Sequence, residues 1–221
     1  MKKIGKHRLA VGDLNKFPIK TLVGANEVDV LYVDPPWGDG NYKFWQTMNH
    51  KNNGAPKEPV PLETFITNLL RVIHYAVKPG APIFFEHGLR WKEQVEGLIK
   101  AQGFVYTGCL ERLYRAGSSK LPMNMHIFCK GGKYNYPVAK VQKTLNEKQL
   151  VSEAALDYIL KPACKAGGIL MDPCTGLGYG AKLAFATGMT FYGLELNAKR
   201  MQQTEKWLTR KMSRHESVSK G

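Results

Sequence analysis

The stretch Val28-Asp29-Val30-Leu31-Tyr32-Val33-Asp34-Pro35-Pro36-Trp37 decides the fold. Residues 28–33 form an apolar run of the kind found in a strand buried on both faces. Two consecutive prolines cannot continue a ladder, because neither has an N–H to donate. The strand therefore stops there, and a carboxylate and an indole project from its C-terminal end. In open α/β sheets that end is where ligands bind. A carboxylate, a rigid proline carbonyl and a flat aromatic face within four residues suit a planar base carrying an amino group. The two oxygens accept its N–H bonds and the indole stacks on its ring.

Outward from this strand, apolar runs alternate with helical patterns. Arg8–Asp13 reads as a short strand ending in a Gly-Asp turn. Leu62, Phe65, Ile66, Leu69, Leu70, Ile73 and Val77 follow helical spacing, and Lys78-Pro79-Gly80 ends that helix. Residues 81–86 make the next strand, and Trp91, Val95, Leu98 and Ile99 mark a helix closed near Gly103. Strands are expected over 104–110 and 123–129. Asn146 to Gln149 has the form of a capping box, opening a helix through Leu160. Gly167-Gly168 turns into the strand 169–171. A helix then runs to Thr187 with Gly188 as its stop. A strand over 191–194 ends in Glu195, and Asn197 caps a last helix. Strands alternating with helices predict one α/β domain over 1–221, Rossmann-like, with a mostly parallel sheet and helices on both faces. Residues 38–61 hold three glycines, three prolines and four asparagines, and read as a mobile catalytic or DNA-contacting loop. Residues 212–221 read as a frayed tail.

The turn Gly176-Leu177-Gly178 follows a strand and opens a helix. Glycines there let a ligand approach the backbone, and helix N-terminal N–H groups favour an anionic group. Glu195, at the end of the next strand, can accept both hydroxyls of a ribose. A nicotinamide site would want a G-x-G-x-x-G run and would leave the Asp172-Pro173 prefix unexplained.

Asp34-Pro35-Pro36-Trp37 resembles the catalytic tetrapeptide of methyltransferases that act on nucleic-acid amino groups. Asp172-Pro173-Cys174-Thr175-Gly176-Leu177-Gly178 resembles the same family's S-adenosylmethionine loop. The catalytic motif comes first, as in the circularly permuted (β) group of DNA methyltransferases, and the strand ending at Asp13 would complete such a permuted sheet. The resemblance implies methyl transfer from S-adenosylmethionine to N6 of a flipped-out adenine in duplex DNA. Asp34, Pro35, Pro36 and Trp37 would be catalytic. Asp172, Pro173, Cys174, Thr175, Gly176 and Gly178 would line the cofactor, Glu195 and Asn197 would hold its ribose, and Asp13 would reach its adenine end. The family usually carries an aromatic residue at the position of Cys174 and a small hydroxyl residue at that of Tyr179. An RNA adenine methyltransferase, a cytosine-N4 DNA methyltransferase and a catalytically silent nucleic-acid-binding partner remain as alternatives.

Charge points the same way. Lys+Arg 32 against Asp+Glu 18 gives a net charge of +14, which attracts polyanions. Residues 111–150 alone carry a net +6, and 111–147 is a candidate small target-recognition segment. Candidate DNA contacts are Lys43 and Lys51 in the first loop and Arg112, Arg115, Lys120, Lys130 and Lys133 in the second segment. So short a recognition segment would suit a short site, or a homodimer or specificity partner. The four cysteines (Cys109, Cys129, Cys164 and Cys174) lack metal-ligand spacing. They argue against zinc or a disulfide frame and for a reducing cytoplasm, in a bacterial or phage-infected cell. No apolar run is long enough to span a membrane. His74 and His126 read as structural residues.

Overall fold

The central strand of the sheet is β3 (Val30–Val33), and all four of its residues are buried. In this computed structural model, which describes residues 1–25, 27–53 and 60–218, β3 pairs in parallel with β4 (Pro82–Gly88) on one side and β7 (Ile169–Asp172) on the other. Beyond β7 lie β8 (Thr190–Glu195) and then β2 (His7–Val11), both parallel. The N-terminal strand thus takes its place beside the Glu195 strand, as its sequence position predicts. A three-residue β1 (Lys2–Ile4) adds antiparallel at that edge. On the other side β4 pairs antiparallel with β6 (Ser119–Lys130), and β6 with β5 (Phe104–Ala116). The sheet is therefore parallel at its centre and antiparallel at both edges, in the order β1-β2-β8-β7-β3-β4-β6-β5.

Helices cover both faces. On one face α2 (Leu62–Ala76) buries Leu62, Phe65, Ile66, Leu69, Leu70, Ile73 and Ala76. With α3 (Lys92–Ala101) it packs on Leu31, Val33, Ile83 and Phe85. The opposite face, carrying Val30, Tyr32, Phe84 and Leu170, is covered by α4 (Val138–Glu147), α5 (Ser152–Leu160), α6 (Tyr179–Ala186) and α7 (Ala198–Val218). Each fully buried Leu, Ile or Phe contributes about 1.5–3 kcal/mol of transfer free energy before conformational entropy is charged against it.

Three sequence expectations are corrected. The stretch 38–61 is not a loop: α1 (Asp39–Asn53) occupies most of it, anchored by buried Tyr42 and Asn49, and 54–59 lie outside the described residues. Asn146 does not open a helix through Leu160. It lies in the last turn of α4, and the chain breaks at Gln149 and Ser152, both with positive φ, before α5 starts. The candidate recognition segment 111–147 comprises the end of β5, all of β6 and α4, within the one sheet and its helical cover. The tail does not fray at 212: α7 runs to Val218 with Met212 packed over Gly5, and 219–221 lie outside the described residues.

The outer edge of β5 is closed by side chains. The N–H of Glu111 donates to Gln142 Oε1 (2.8 Å), and that of Arg115 to Ser152 Oγ (3.0 Å). Such contacts remove the open edge on which another strand could pair.

His7, His87 and His126 are buried. His7 Nδ1 accepts the Phe191 N–H (3.0 Å), and His126 Nδ1 meets the Tyr106 hydroxyl (2.9 Å), so His126 is structural. Burial pushes all three imidazoles down from 6.5 to about 4. Their folded pKa values lie below the unfolded one, so each withdraws stability as pH falls from about 6.5 toward 4. An NMR pH titration of the imidazole Cε1–H signals should show all three neutral at pH 5.5; midpoints near 6.5 would contradict the packing.

Candidate active site

Parallel pairing brings five strand ends to one edge of the sheet, and an acid lies at, near or just past every one of them. Asp34 follows β3, Glu86 stands near the end of β4, Asp172 ends β7 and Glu195 ends β8. Asp13 lies just past β2. Asp13, Asp34, Asp172 and Glu195 line one cleft of about 560 Å³ with Pro35, Trp37, Pro173, Cys174, Thr175 and Gly176. Residues about 140 positions apart in the chain thus meet because β3 and β7 are neighbours.

Each acid is held by donors. Asp34 Oδ1 accepts the Trp37 indole N–H at 2.5 Å, and the Trp37 backbone N–H is fixed by Asn41 Oδ1 (3.1 Å). Burial raises the Asp34 carboxyl, against the pull of this bond and of nearby Arg112. The Trp37 ring stands edge-on to Tyr114 at 5.3 Å, which sets its plane. Asp172 Oδ1 accepts the Cys174 N–H (3.0 Å), and the Thr175 hydroxyl donates to the Asp172 carbonyl (3.0 Å). Burial pushes Asp172 well up, with Asp34 and Glu195 adding to the rise. The Cys174 thiol is pushed well up too, by burial and then Asp172 and Glu195, so it stays protonated.

Glu195 pins the glycine loop. Its Oε2 accepts the Gly176 N–H (2.7 Å) and its Oε1 the Asn197 N–H (2.8 Å). A carboxylate has lone pairs to spare beyond these two bonds. Gly176 and Gly178 both take positive φ, +52° and +83°, which glycine alone adopts cheaply. A Cβ on Gly178 would lie 2.5 Å from Thr204 Oγ1 of α7, and one on Gly180 only 3.1 Å from Asp172 Cβ. These glycines let α6 start tight against β7, β8 and α7. No side chain caps α6, so its first-turn N–H dipoles remain available to an anionic group.

Helix α1 closes one side of the cleft. Trp45 lies under the Arg200 guanidinium, 4.0 Å from its ring centre, and Asn49 Oδ1 accepts from Asn197 Nδ2 (3.1 Å). This corrects the expectation for Asn197. Its amide holds α1, while its Oδ1 caps α7 by accepting the N–H groups of Lys199 (3.0 Å) and Arg200 (3.2 Å). Asn197 is therefore a framework residue.

The basic candidates separate. Arg115 and Lys120 face each other at the tip of the β5–β6 hairpin, exposed at the end of the sheet that carries Asp34. Lys43 is exposed on α1, and the side chain of Lys51 lies outside the described residues. Lys130 pairs with Phe104 at the opposite end, and Lys133 follows it. Ten strand residues at about 3.4 Å each put Lys130 about 30 Å from Lys120, so one hairpin cannot bring both to the cleft. Arg112 is no surface phosphate ligand either. It is 4% exposed, and its Nε and Nη2 grip Glu86 at 2.7 and 2.5 Å. It lines the cleft beside Asp34 and Tyr32.

Sequence reasoning missed Glu86, Tyr114, Trp45 and Arg200. Glu86 carried the same signal as Asp34 and Glu195, an acid closing an apolar run. Arg112 and Tyr114 alternate with Leu113 in a period-2 pattern that puts both on one face. Nothing local marked Trp45 or Arg200, because their contact joins helices far apart in sequence. Among the described residues no group of His, Cys, Asp or Glu is arranged to hold a metal ion, and no helix is long and apolar enough to cross a membrane.

By sequence the chain matches no protein-family model and no curated protein. By structure it matches solved DNA methyltransferases over nearly its whole length. M1.HpyAVI superposes with a TM-score of 0.60 at 15% identity, covering 91% of this chain and 98% of that one. TTHA0409 of Thermus thermophilus, assigned as a DNA modification methylase, gives 0.62 at 16% identity over 92% and 95%. The cytosine-N4-specific PvuII DNA methyltransferase gives 0.59 at 9% identity over 89% and 84%. TTHA0409 and M1.HpyAVI have also been solved with S-adenosylmethionine, and those complexes superpose equally well, at 0.60 and 0.61. The chain therefore has the α/β fold of these methyltransferases, a mixed sheet with helices on both sides.

Gly178→Ala tests the cradle. It forces a Cβ against Thr204 at a positive φ, a strain of about 1–3 kcal/mol, equivalent to roughly 3–10 °C in Tm at this chain length. A thermal melt checks it; an unchanged Tm would mean that the loop does not pack as described.

Proposed function

We propose that this protein is an S-adenosylmethionine-dependent DNA methyltransferase acting on the exocyclic amine of a flipped-out base, adenine N6 in the first instance. One observation carries the reading. Asp34-Pro35-Pro36-Trp37 and the Gly176–Gly178 loop end neighbouring parallel strands and open on the same cleft.

The residues fit the cofactor. Five acids (Asp13, Asp34, Glu153, Asp172 and Glu195) line the cleft against three bases (Arg112, Lys182 and Arg200), an acidic lining that suits a ligand carrying a sulfonium and an ammonium group. The uncapped start of α6 suits that ligand's carboxylate, and Glu195 its ribose hydroxyls. When bound, S-adenosylmethionine supplies an activated methyl group.

This chain's own residues do the rest. An exocyclic amine is a poor nucleophile, because its lone pair is delocalised into the ring. Asp34 and the Pro35 carbonyl accept its two N–H bonds and draw the nitrogen toward tetrahedral geometry. Those bonds strengthen as the nitrogen becomes positive, which is differential binding of the transition state. The Trp37 ring, fixed by Asp34 and Tyr114, offers a stacking face worth about 1–3 kcal/mol toward the cost of flipping. An Asp as first motif residue favours adenine. The PvuII likeness keeps cytosine N4 as the second reading. The order of the two motifs along the chain supports placement in the permuted group.

Labelled methyl transfer to unmethylated duplex DNA, with structured RNA in parallel and nucleoside mass spectrometry after, tests the reading. N6-methyladenine from DNA is expected. N4-methylcytosine would establish the second reading, and label on RNA alone would overturn both. Asp34→Ala should lower transfer by about 10²–10³-fold, the scale for removing one preorganised transition-state hydrogen-bond partner, with cofactor affinity largely unchanged.

The hairpin geometry makes a separate prediction. Arg115→Ala with Lys120→Ala should reduce the slope of log K against log salt for duplex binding by about 2, whereas Lys130→Ala with Lys133→Ala should leave it unchanged. The reverse pattern would move the DNA to the other end of the sheet.

A further inference from the structure

We infer that Arg112 is a specificity-determining residue: its free guanidinium nitrogen donates to the ring acceptor beside the target amine. This rests on the function proposed above and goes beyond it, by naming how the cleft recognises an amine beside a bare ring nitrogen.

Three of the five N–H bonds of an arginine sit on Nε and Nη2, and in Arg112 both of those atoms face Glu86. Nη1, with the other two, is buried and has no partner. An orphaned charged donor is costly inside a protein. Its place is informative. Arg112 is on the sheet face that carries Tyr32, Asp34 and Asp172, and it lines their cleft. Tyr114, two residues on, lines the same cleft and stands against Trp37. A backbone phosphate outside the cleft cannot reach a side chain this buried, whereas the planar edge of a base lying against Asp34 enters the cleft that Arg112 lines.

The resulting pattern has a definite chemistry. Asp34 and the Pro35 carbonyl are acceptors, and Arg112 Nη1 supplies a donor from the wall of the same cleft. An edge that presents an amine next to a bare ring nitrogen complements them. Adenine has that edge at N6 with N1 or N7, and cytosine at N4 with N3. Thymine presents a carbonyl oxygen next to a ring N–H, the reverse order, and so does guanine at its O6–N1 edge; guanine shares the amine-and-bare-nitrogen order only at N2 with N3. On the reversed edges the oxygen would face the Asp34 carboxylate and the N–H the guanidinium. Glu86 fixes the fork through two bonds, so Arg112 cannot turn to suit them. Specificity of this kind, in which the wrong partner leaves buried polar groups unpaired, is strong.

The test replaces the ring nitrogen of the accepting base with C–H, at the position the protein methylates in a duplex oligonucleotide: 1-deazaadenine or 7-deazaadenine for adenine, 3-deazacytosine for cytosine. Single-turnover transfer is measured for the wild type and for Arg112→Met. The wild type should lose at least tenfold on one analogue relative to the natural base. Arg112→Met should be slower on the natural base, yet show an analogue-to-natural ratio within twofold of one. Taking the ratio cancels the analogue's own effect on amine reactivity and any general damage from the substitution. Because Arg112→Met strands Glu86 in the interior, the paired variant Arg112→Met with Glu86→Leu is run beside it and should give the same ratio. An analogue penalty that persists undiminished in the variants overturns the role of Arg112 alone. Absence of transfer to any natural base by the wild type overturns this inference together with the proposed function.

Discussion

Carboxylates crowded at the ends of neighbouring strands are the constraint around which this molecule is arranged. Strands in a sheet lie about 4.8 Å apart, so Asp34, Glu86, Asp172 and Glu195 stand within mutual repulsion once buried. Each survives because the chain supplies a donor from close by. Trp37 serves Asp34 from three residues away. The Cys174 amide serves Asp172 from two, and those of Gly176 and Asn197 serve Glu195. Glu86 is answered by a side chain, that of Arg112, 26 residues on and across the intervening strand β6. The glycines and prolines around these acids have the same origin. They allow backbone N–H groups and an indole to turn back toward the strand ends.

Much of this was legible in the residues. An apolar run closed by Asp-Pro-Pro marks a central strand and its functional end, whatever the rest of the chain does. The heptad-like spacing from Leu62 to Ile73 gives a helix because one face has to be dry. Asn197 reads as a cap and is one. The failures share a cause. The stretch after Gly38 looks like loop because its glycines and asparagines have low helix propensity. It is nevertheless helical, since Tyr42 and Asn49 find tertiary partners that a local reading cannot see. Arg112 looked like a surface cation for the same reason: its sequence neighbours are charged, and the acid that buries it lies 26 residues back.

The antiparallel hairpin was the least legible part and carries much of the site's organisation. Local strand signals identified its lower half. They missed that the two strands run on past the sheet centre, to Ala116 and Ser119. That extension places Arg112 and Tyr114 in the cleft wall and Arg115 and Lys120 beyond it, so β5 passes from buried to exposed between Arg112 and Arg115. A charge count over 111–150 averages across this change and cannot separate cations at opposite ends of one strand.

Because wall and tip belong to one continuous ladder, the hairpin is also a unit of inheritance. On the proposed function, a substitution that retunes the grip on DNA would sit a few ångströms along the same strand from one that retunes the base. Exchanging residues 104–130 between two such proteins would therefore move both properties together. The exchange has one fixed condition, set by the buried pair. Residue 86, outside the transplanted segment, has to travel with residue 112, or the graft would carry a charge into the interior with nothing to meet it.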